Sequence, residues 1–63
     1  MNAQDTLKRL KRLVNTPHPS TLEIKWLRGV AFDYGVRDDD HWTMANRLIP
    51  HFIPLAITER LTK

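Results

Sequence analysis

Hydrophobic residues between positions 3 and 15 are spaced three or four apart, which is the period of an amphipathic helix and not the alternation of a strand. Asn2 can cap the start of this helix, and Asp5 suits the positive end of the helix dipole. The pattern therefore predicts a first helix over residues 3–15. Its apolar side carries Leu7, Leu10, Leu13 and Val14, and its opposite side carries Lys8, Arg9, Lys11 and Arg12.

A second helix is predicted over residues 21–34. Two prolines, Pro17 and Pro19, end the first helix, because proline and the residue before it both resist the helical conformation. Ser20 and Glu23 then have the spacing of a capping box. The apolar face of this second helix spans more than half of the helical wheel, so we expect other elements to cover it on more than one side.

The only two glycines belong to this second segment. Gly29 lies in the helix interior, where it indicates the close approach of another backbone. Gly35 is typical of the residue in the left-handed backbone conformation that ends an α-helix, with Val36 folding back on the last turn.

Pro50 and Pro54 interrupt the last third of the chain. Three aspartates at positions 38–40 predict the start of a third helix, since carboxylates are favourable beside the free N–H groups of a first turn. Pro50 is expected to kink or break helix 3, and Pro54 to begin a short last helix over residues 55–61. The predicted fold class is all-α, with three to four short helices in a compact bundle that forms a single helical domain over residues 1–63.

The sequence offers few groups for catalysis, and it contains no cysteine. Ser20 is the only serine and is assigned to a helix cap. The run Asp38-Asp39-Asp40-His41 is more typical of a solvated cap than of a metal site, because adjacent helical residues point in different directions. We therefore expect no enzyme activity, no cofactor, no metal and no small-molecule substrate.

The same features bear on location. The absence of cysteine fits a reducing compartment. The first residues lack the apolar core of a signal peptide, and the longest mostly apolar stretch, residues 48–57, is about half the length that a bilayer span needs. A cytoplasmic protein without a membrane partner is expected.

The net charge of +3 is unevenly distributed. Residues 1–30 contain six Lys and Arg against two Asp and Glu, whereas residues 31–63 contain four against five. The basic stripe of helix 1 therefore has two interpretations: the solvated side of an amphipathic helix, which is favoured, or a surface that lies along nucleic-acid phosphates. In the second case the binding residues are Lys8, Arg9, Lys11 and Arg12.

Residues 27–46 resemble a helix-turn-helix. Ala31 stands where the motif needs a small residue, and Gly35 with Val36 stands where it needs the turn. The resemblance implies DNA binding through the helix that follows. This segment departs from the motif there, because the three aspartates would face phosphates and His41 replaces a branched apolar residue.

Large apolar side chains exceed what three short helices need to cover a core. Monomeric proteins seldom expose wide apolar patches, so the surplus favours a surface for self-association or for another protein, and a homodimer is the simplest outcome. The function predicted is a small non-enzymatic regulator or adaptor that acts by protein–protein binding, with nucleic-acid binding as the alternative. The residues expected at the protein interface are Trp26, Phe32, Phe52, Ile53, Leu55 and Ile57.

The short chain, its lack of cysteine and its opening Leu7-Lys8-Arg9-Leu10-Lys11-Arg12 resemble the small accessory proteins encoded in the early regions of temperate, lambdoid-type bacteriophages. The resemblance implies a protein that acts by binding a host or phage factor, and it assigns no functional residue.

Overall fold

Three α-helices make up the fold that the computed structural model describes, which covers residues 2–37 and 39–61. α1 spans Ala3–Val14, α2 spans Thr21–Asp33 and α3 spans His41–Leu61. The predicted all-α class is confirmed, with three helices among the described residues and not four.

The starts of α1 and α2 are capped by the side chains that the sequence indicated. The Asp5 N–H donates to Asn2 Oδ1 at 2.9 Å, and the Glu23 N–H donates to Ser20 Oγ at 3.3 Å. The second bond of a capping box, from the Ser20 N–H to the Glu23 carboxylate, does not form among the described residues, and Glu23 Oε1 instead accepts a hydrogen bond from the Arg12 guanidinium at 2.7 Å. That contact ties α2 to α1.

Gly35 ends α2 in the predicted manner. It has a φ of +72°, its N–H donates to the Phe32 carbonyl, and the Val36 N–H donates to the Ala31 carbonyl at 2.8 Å. These two bonds are those of a Schellman motif. The expectation for Gly29 is wrong: among the described residues, no neighbouring group lies within 4 Å of the position that a Cβ would occupy there.

α3 is one helix of 21 residues that passes through both Pro50 and Pro54. The predicted break at Pro50 and the separate last helix over residues 55–61 are therefore wrong, while the kink stays a prediction. Both prolines are exposed. The carbonyls that lose their amide partners lie one turn earlier on the same side of the helix, where water can satisfy them.

α1 and α3 form an antiparallel pair, and α3 packs more extensively against α1 than against α2. At one end the Ala3 N–H donates to Glu59 Oε1 at 3.2 Å, which places a carboxylate at the positive end of α1. At the other end a His41 ring nitrogen lies 3.1 Å from the Thr16 carbonyl oxygen. The two contacts show that the helices lie side by side over their shared length.

The core is small and draws on all three helices. α1 and α2 each contribute two buried side chains to it, and α3 contributes the larger share. No helix of the described residues has both the length and the apolar character to cross a bilayer. The core cluster consists of Leu10, Leu13, Leu27, Ala31, Met44, Ala45, Leu48 and Phe52.

Candidate interaction surfaces

Large hydrophobic side chains remain exposed after the core is complete. Phe32 is 83% exposed and Leu22 is 76% exposed, so α1 and α3 leave part of the apolar surface of α2 uncovered. A hydrophobic side chain that stays in water does not contribute the stabilisation that its burial would give to folding. The exposed large hydrophobics among the described residues are Leu22, Phe32, Tyr34, Trp42, Ile53, Leu55, Ile57 and Leu61.

The structure does not bring the six predicted interface residues together on one surface. Phe52 is the clear correction: it is 6% exposed, belongs to the core and packs against Tyr34 with 5.0 Å between ring centroids, so it is not open to a partner. Leu55 is exposed but lies about 200° around α3 from Ile53, which puts the two on different sides of the helix.

Trp26 is half-buried on α2. The Arg9 guanidinium carbon lies 4.2 Å from the centroid of its ring, the geometry of a cation–π contact. Arg9 Nε is buried and has no hydrogen-bond acceptor among the described residues. The face of Trp26 is therefore occupied from within the chain.

The basic stripe of α1 divides into two pairs. Arg9 and Arg12 turn towards α2, where Arg9 stacks on Trp26 and Arg12 pairs with Glu23 at 2.7 Å. Lys8 and Lys11 are exposed and take part in no ion pair within the described residues. Two of the four cations of the predicted stripe therefore contact α2 within the chain. The other two, Lys8 and Lys11, are available to bind a partner.

A groove of about 540 Å³ lies between α1 and α3. Its floor is apolar and its rim is cationic. α1 contributes residues at positions i, i+3, i+4 and i+7, and α3 contributes another four with the same spacing. The residues that line the α1–α3 groove are Gln4, Leu7, Lys8, Lys11, Ile53, Ala56, Ile57 and Arg60.

A separate cleft of about 300 Å³ lies beside Phe32, where α2 ends and α3 begins. Its charged residues carry both signs, unlike those of the α1–α3 groove. We call it the Phe32 cleft. It is lined by Arg28, Ala31, Phe32, Gly35, Val36, Arg37, Asp39 and Met44.

The segment that resembles a helix-turn-helix has a longer connection than that motif uses. α2 ends at Asp33 and α3 begins at His41, which leaves seven positions between them against the three or four of the motif. Asp40 caps α3, since its Oδ1 accepts from the Trp42 N–H at 2.8 Å, and the predicted role of Asp38 falls outside the described residues. Within residues 2–37 and 39–61 no group of three potential metal ligands is assembled.

Sequence reasoning did not predict that α1 and α3 form a groove, although it named four of the residues that line it, Lys8, Lys11, Ile53 and Ile57. The two lysines and the two isoleucines were assigned to different surfaces, Leu7 was placed only on the apolar side of helix 1, and Arg60 was given no role. The available signal was the four-residue spacing of Ile53, Ile57 and Leu61, which becomes meaningful only once α3 is known to be continuous. Comparison of the chain with protein-family models, with curated proteins and with solved structures found no match.

Proposed function

We propose that this protein is a non-enzymatic helical adaptor or regulator that acts by binding proteins, and that it associates with itself as a homodimer. The observation that carries the proposal is Phe32, which remains 83% exposed at the end of α2 beside a cleft. A large aromatic side chain in that position buries little of its surface in the single chain, whereas its burial against a partner is favourable. Binding of a host or phage factor is the activity that the early-region phage resemblance implies.

The Phe32 cleft suits a second copy of the same chain. In a twofold interface each residue of one copy meets the same surface on the other, so a patch must complement itself. The cleft has a large apolar projection and a concavity side by side, which allows Phe32 of each copy to enter the cleft of the other. It also carries Arg28 and Arg37 with Asp39, so opposite charges can meet across the axis.

Size-exclusion chromatography with light scattering tests the homodimer at protein concentrations from about 1 to about 200 µM. The expected result is a mass that rises to that of two chains, and Phe32→Ser is expected to return it to one chain. Leu22→Ser is the matched control, since it removes another largely exposed apolar side chain of α2 from outside the cleft. A wild-type mass of one chain throughout the range rules the homodimer out.

Nucleic-acid binding is the second candidate, and Lys8 and Lys11 are the observation in its favour because both are exposed and unpaired within the described residues. Affinity for a DNA duplex should then fall with added salt, with a logarithmic slope of about −0.9 for each phosphate neutralised. Lys8→Gln with Lys11→Gln is expected to lower that slope by about two. The matched pair Arg9→Gln with Arg12→Gln should change it less, since these side chains are engaged with α2.

A further inference from the structure

The two walls of the α1–α3 groove present the same pattern to the space between them. Gln4, Leu7, Lys8 and Lys11 on α1 are at positions i, i+3, i+4 and i+7, and the four residues from α3 repeat that spacing from Ile53 to Arg60. Residues with this spacing form one face of a helix. Each wall is therefore a helix face about 10 Å long, from the rise of about 1.5 Å per residue.

The shape of the groove selects a helical occupant. Both walls are helices, so neither offers the row of free backbone groups to which an extended strand can pair. A groove between two helices is instead filled by the side chains of a third helix, whose own i, i+3, i+4 and i+7 positions span the same length. Leu7, Ile53 and Ile57 supply the apolar floor for such anchors.

The charge of the groove selects an acidic occupant. Every ionisable residue that lines it is a cation, namely Lys8, Lys11 and Arg60, and none of the three forms an ion pair within the described residues. Because α1 and α3 are antiparallel and Ala3 meets Glu59, Arg60 lies at one end of the groove and Lys11 at the other. The cations therefore flank the floor along its whole length.

The same charges disfavour a second copy of the chain at this place. Two grooves facing each other across a twofold axis bring three cations of one copy towards three of the other, and like charges at an interface oppose association. The groove is thus unlike the Phe32 cleft, whose charged residues carry both signs. The two surfaces are suited to different partners.

We propose that the α1–α3 groove is the docking site for an acidic amphipathic helix of another protein, which seats apolar anchors on Leu7, Ile53 and Ile57 and places carboxylates against Lys8, Lys11 and Arg60. This inference rests on the protein-binding function proposed above and names the chemistry of the partner. It is independent of the homodimer, which uses other residues.

A synthetic peptide of about four helical turns tests the proposal, with leucines at i, i+3, i+4 and i+7 and glutamates beside them. Its control has lysine in place of every glutamate. By calorimetry at low salt the acidic peptide is expected to bind at least about tenfold more tightly than the lysine peptide, and added salt is expected to weaken its binding. In nitrogen–proton correlation spectra the largest shifts should fall on the groove residues of α1 and α3.

Matched variants of the full chain locate the site. Lys11→Glu is expected to weaken the acidic peptide about fivefold or more, whereas Lys25→Glu, the same charge change on an exposed position of α2, should have less than about a twofold effect. Ile57→Ser is expected to weaken it about tenfold, and Leu22→Ser should leave it unchanged. All four positions are exposed, so circular dichroism should show the fold intact in each variant.

Several results of these experiments would contradict the proposed docking site. Equal binding of the two peptides, or equal effects of groove and control variants, overturns the proposal. Binding of a DNA duplex or of anionic phospholipid vesicles through Lys8 and Lys11, without binding of the acidic peptide, assigns the groove to phosphate and also overturns it. Lys11→Glu and Ile57→Ser should leave the mass of the homodimer unchanged, so failure of the groove and failure of self-association are read separately.

Discussion

The two glycines of α2 differ in what their backbones require. Gly29 has open space around it and an ordinary helical backbone, whereas Gly35 has a φ of +72°, where a side chain is strained. Gly29→Ala is therefore expected to raise the free energy of unfolding by about 0.5–1 kcal/mol, through the lower entropy of the unfolded chain. Gly35→Ala is expected to lower it by about 1 kcal/mol.

Thermal or urea unfolding of the two variants checks this pair, because the substitution is chemically identical in both. In a domain of this size 1 kcal/mol corresponds to a shift of about 4–8 °C in melting temperature. A loss of stability in Gly29→Ala would mean that a neighbouring group does approach that position, as the sequence first indicated.

The contact between Arg9 and Trp26 leads to a second prediction for a single substitution. The guanidinium 4.2 Å above the ring is worth about 0.5–2 kcal/mol, depending on how far the pair is desolvated. Arg9→Ala is expected to reduce stability by about 1 kcal/mol and to shift the fluorescence of Trp26 to longer wavelength. A Trp42→Phe background isolates that signal, and Lys8→Ala, which removes a cation from the exposed side of α1, should leave it in place.

At the level of helices, the prolines of α3 show that the local preference of proline to end a helix can be overridden. Pro50 lies inside the helix, where its ring opposes the carbonyl of Asn46 and its nitrogen cannot donate. Pro50→Ala restores that hydrogen bond and is expected to raise the free energy of unfolding by about 1–3 kcal/mol. Chemical unfolding of Pro50→Ala beside Pro54→Ala measures it, and a destabilised Pro50→Ala would show that the proline is needed for the packing of α3.

The helix starts and the end of α2 were predictable because each depends on residues next to one another in sequence. Asn2, Ser20 and Gly35 satisfy backbone groups within a few positions, and the structure places all three as expected. The continuity of α3 was not predictable in that way. It depends on Leu48, Phe52 and Ala56 packing on one side of the helix while both prolines face solvent, and that packing outweighs the local preference to stop.

At the scale of the molecule, the surplus of apolar side chains was predictable and its arrangement was not. Composition indicates that such a small core cannot enclose every large hydrophobic residue, and Phe32 and Ile57 are indeed exposed. Composition does not tell which aromatic residue enters the core, so Phe52 was misplaced. The α1–α3 groove required the antiparallel alignment of two helices, which brings Leu7 and Ile57 into one groove from distant parts of the chain.

Self-association should also be visible in the stability of the whole chain. Sixty-three residues bury only about 60% of the surface of the unfolded chain, so the single chain is marginally stable and a partner that binds only the folded form adds to its stability. The melting temperature of the wild-type protein is therefore expected to rise by several degrees for each tenfold increase in concentration over the range where the dimer forms, since a tenfold change corresponds to about 1.4 kcal/mol per dimer, or about 0.7 kcal/mol per chain.

Phe32→Ser should abolish that dependence on concentration, and Leu22→Ser should preserve it. Because Phe32 is 83% exposed, its removal leaves the core intact, and the Phe32→Ser protein at any concentration should melt where the wild-type protein melts at high dilution. A wild-type melting temperature that stays constant from about 1 to about 200 µM would show that the folded chain gains nothing from a second copy. The exposed side chains of α2 would then need a different protein to cover them.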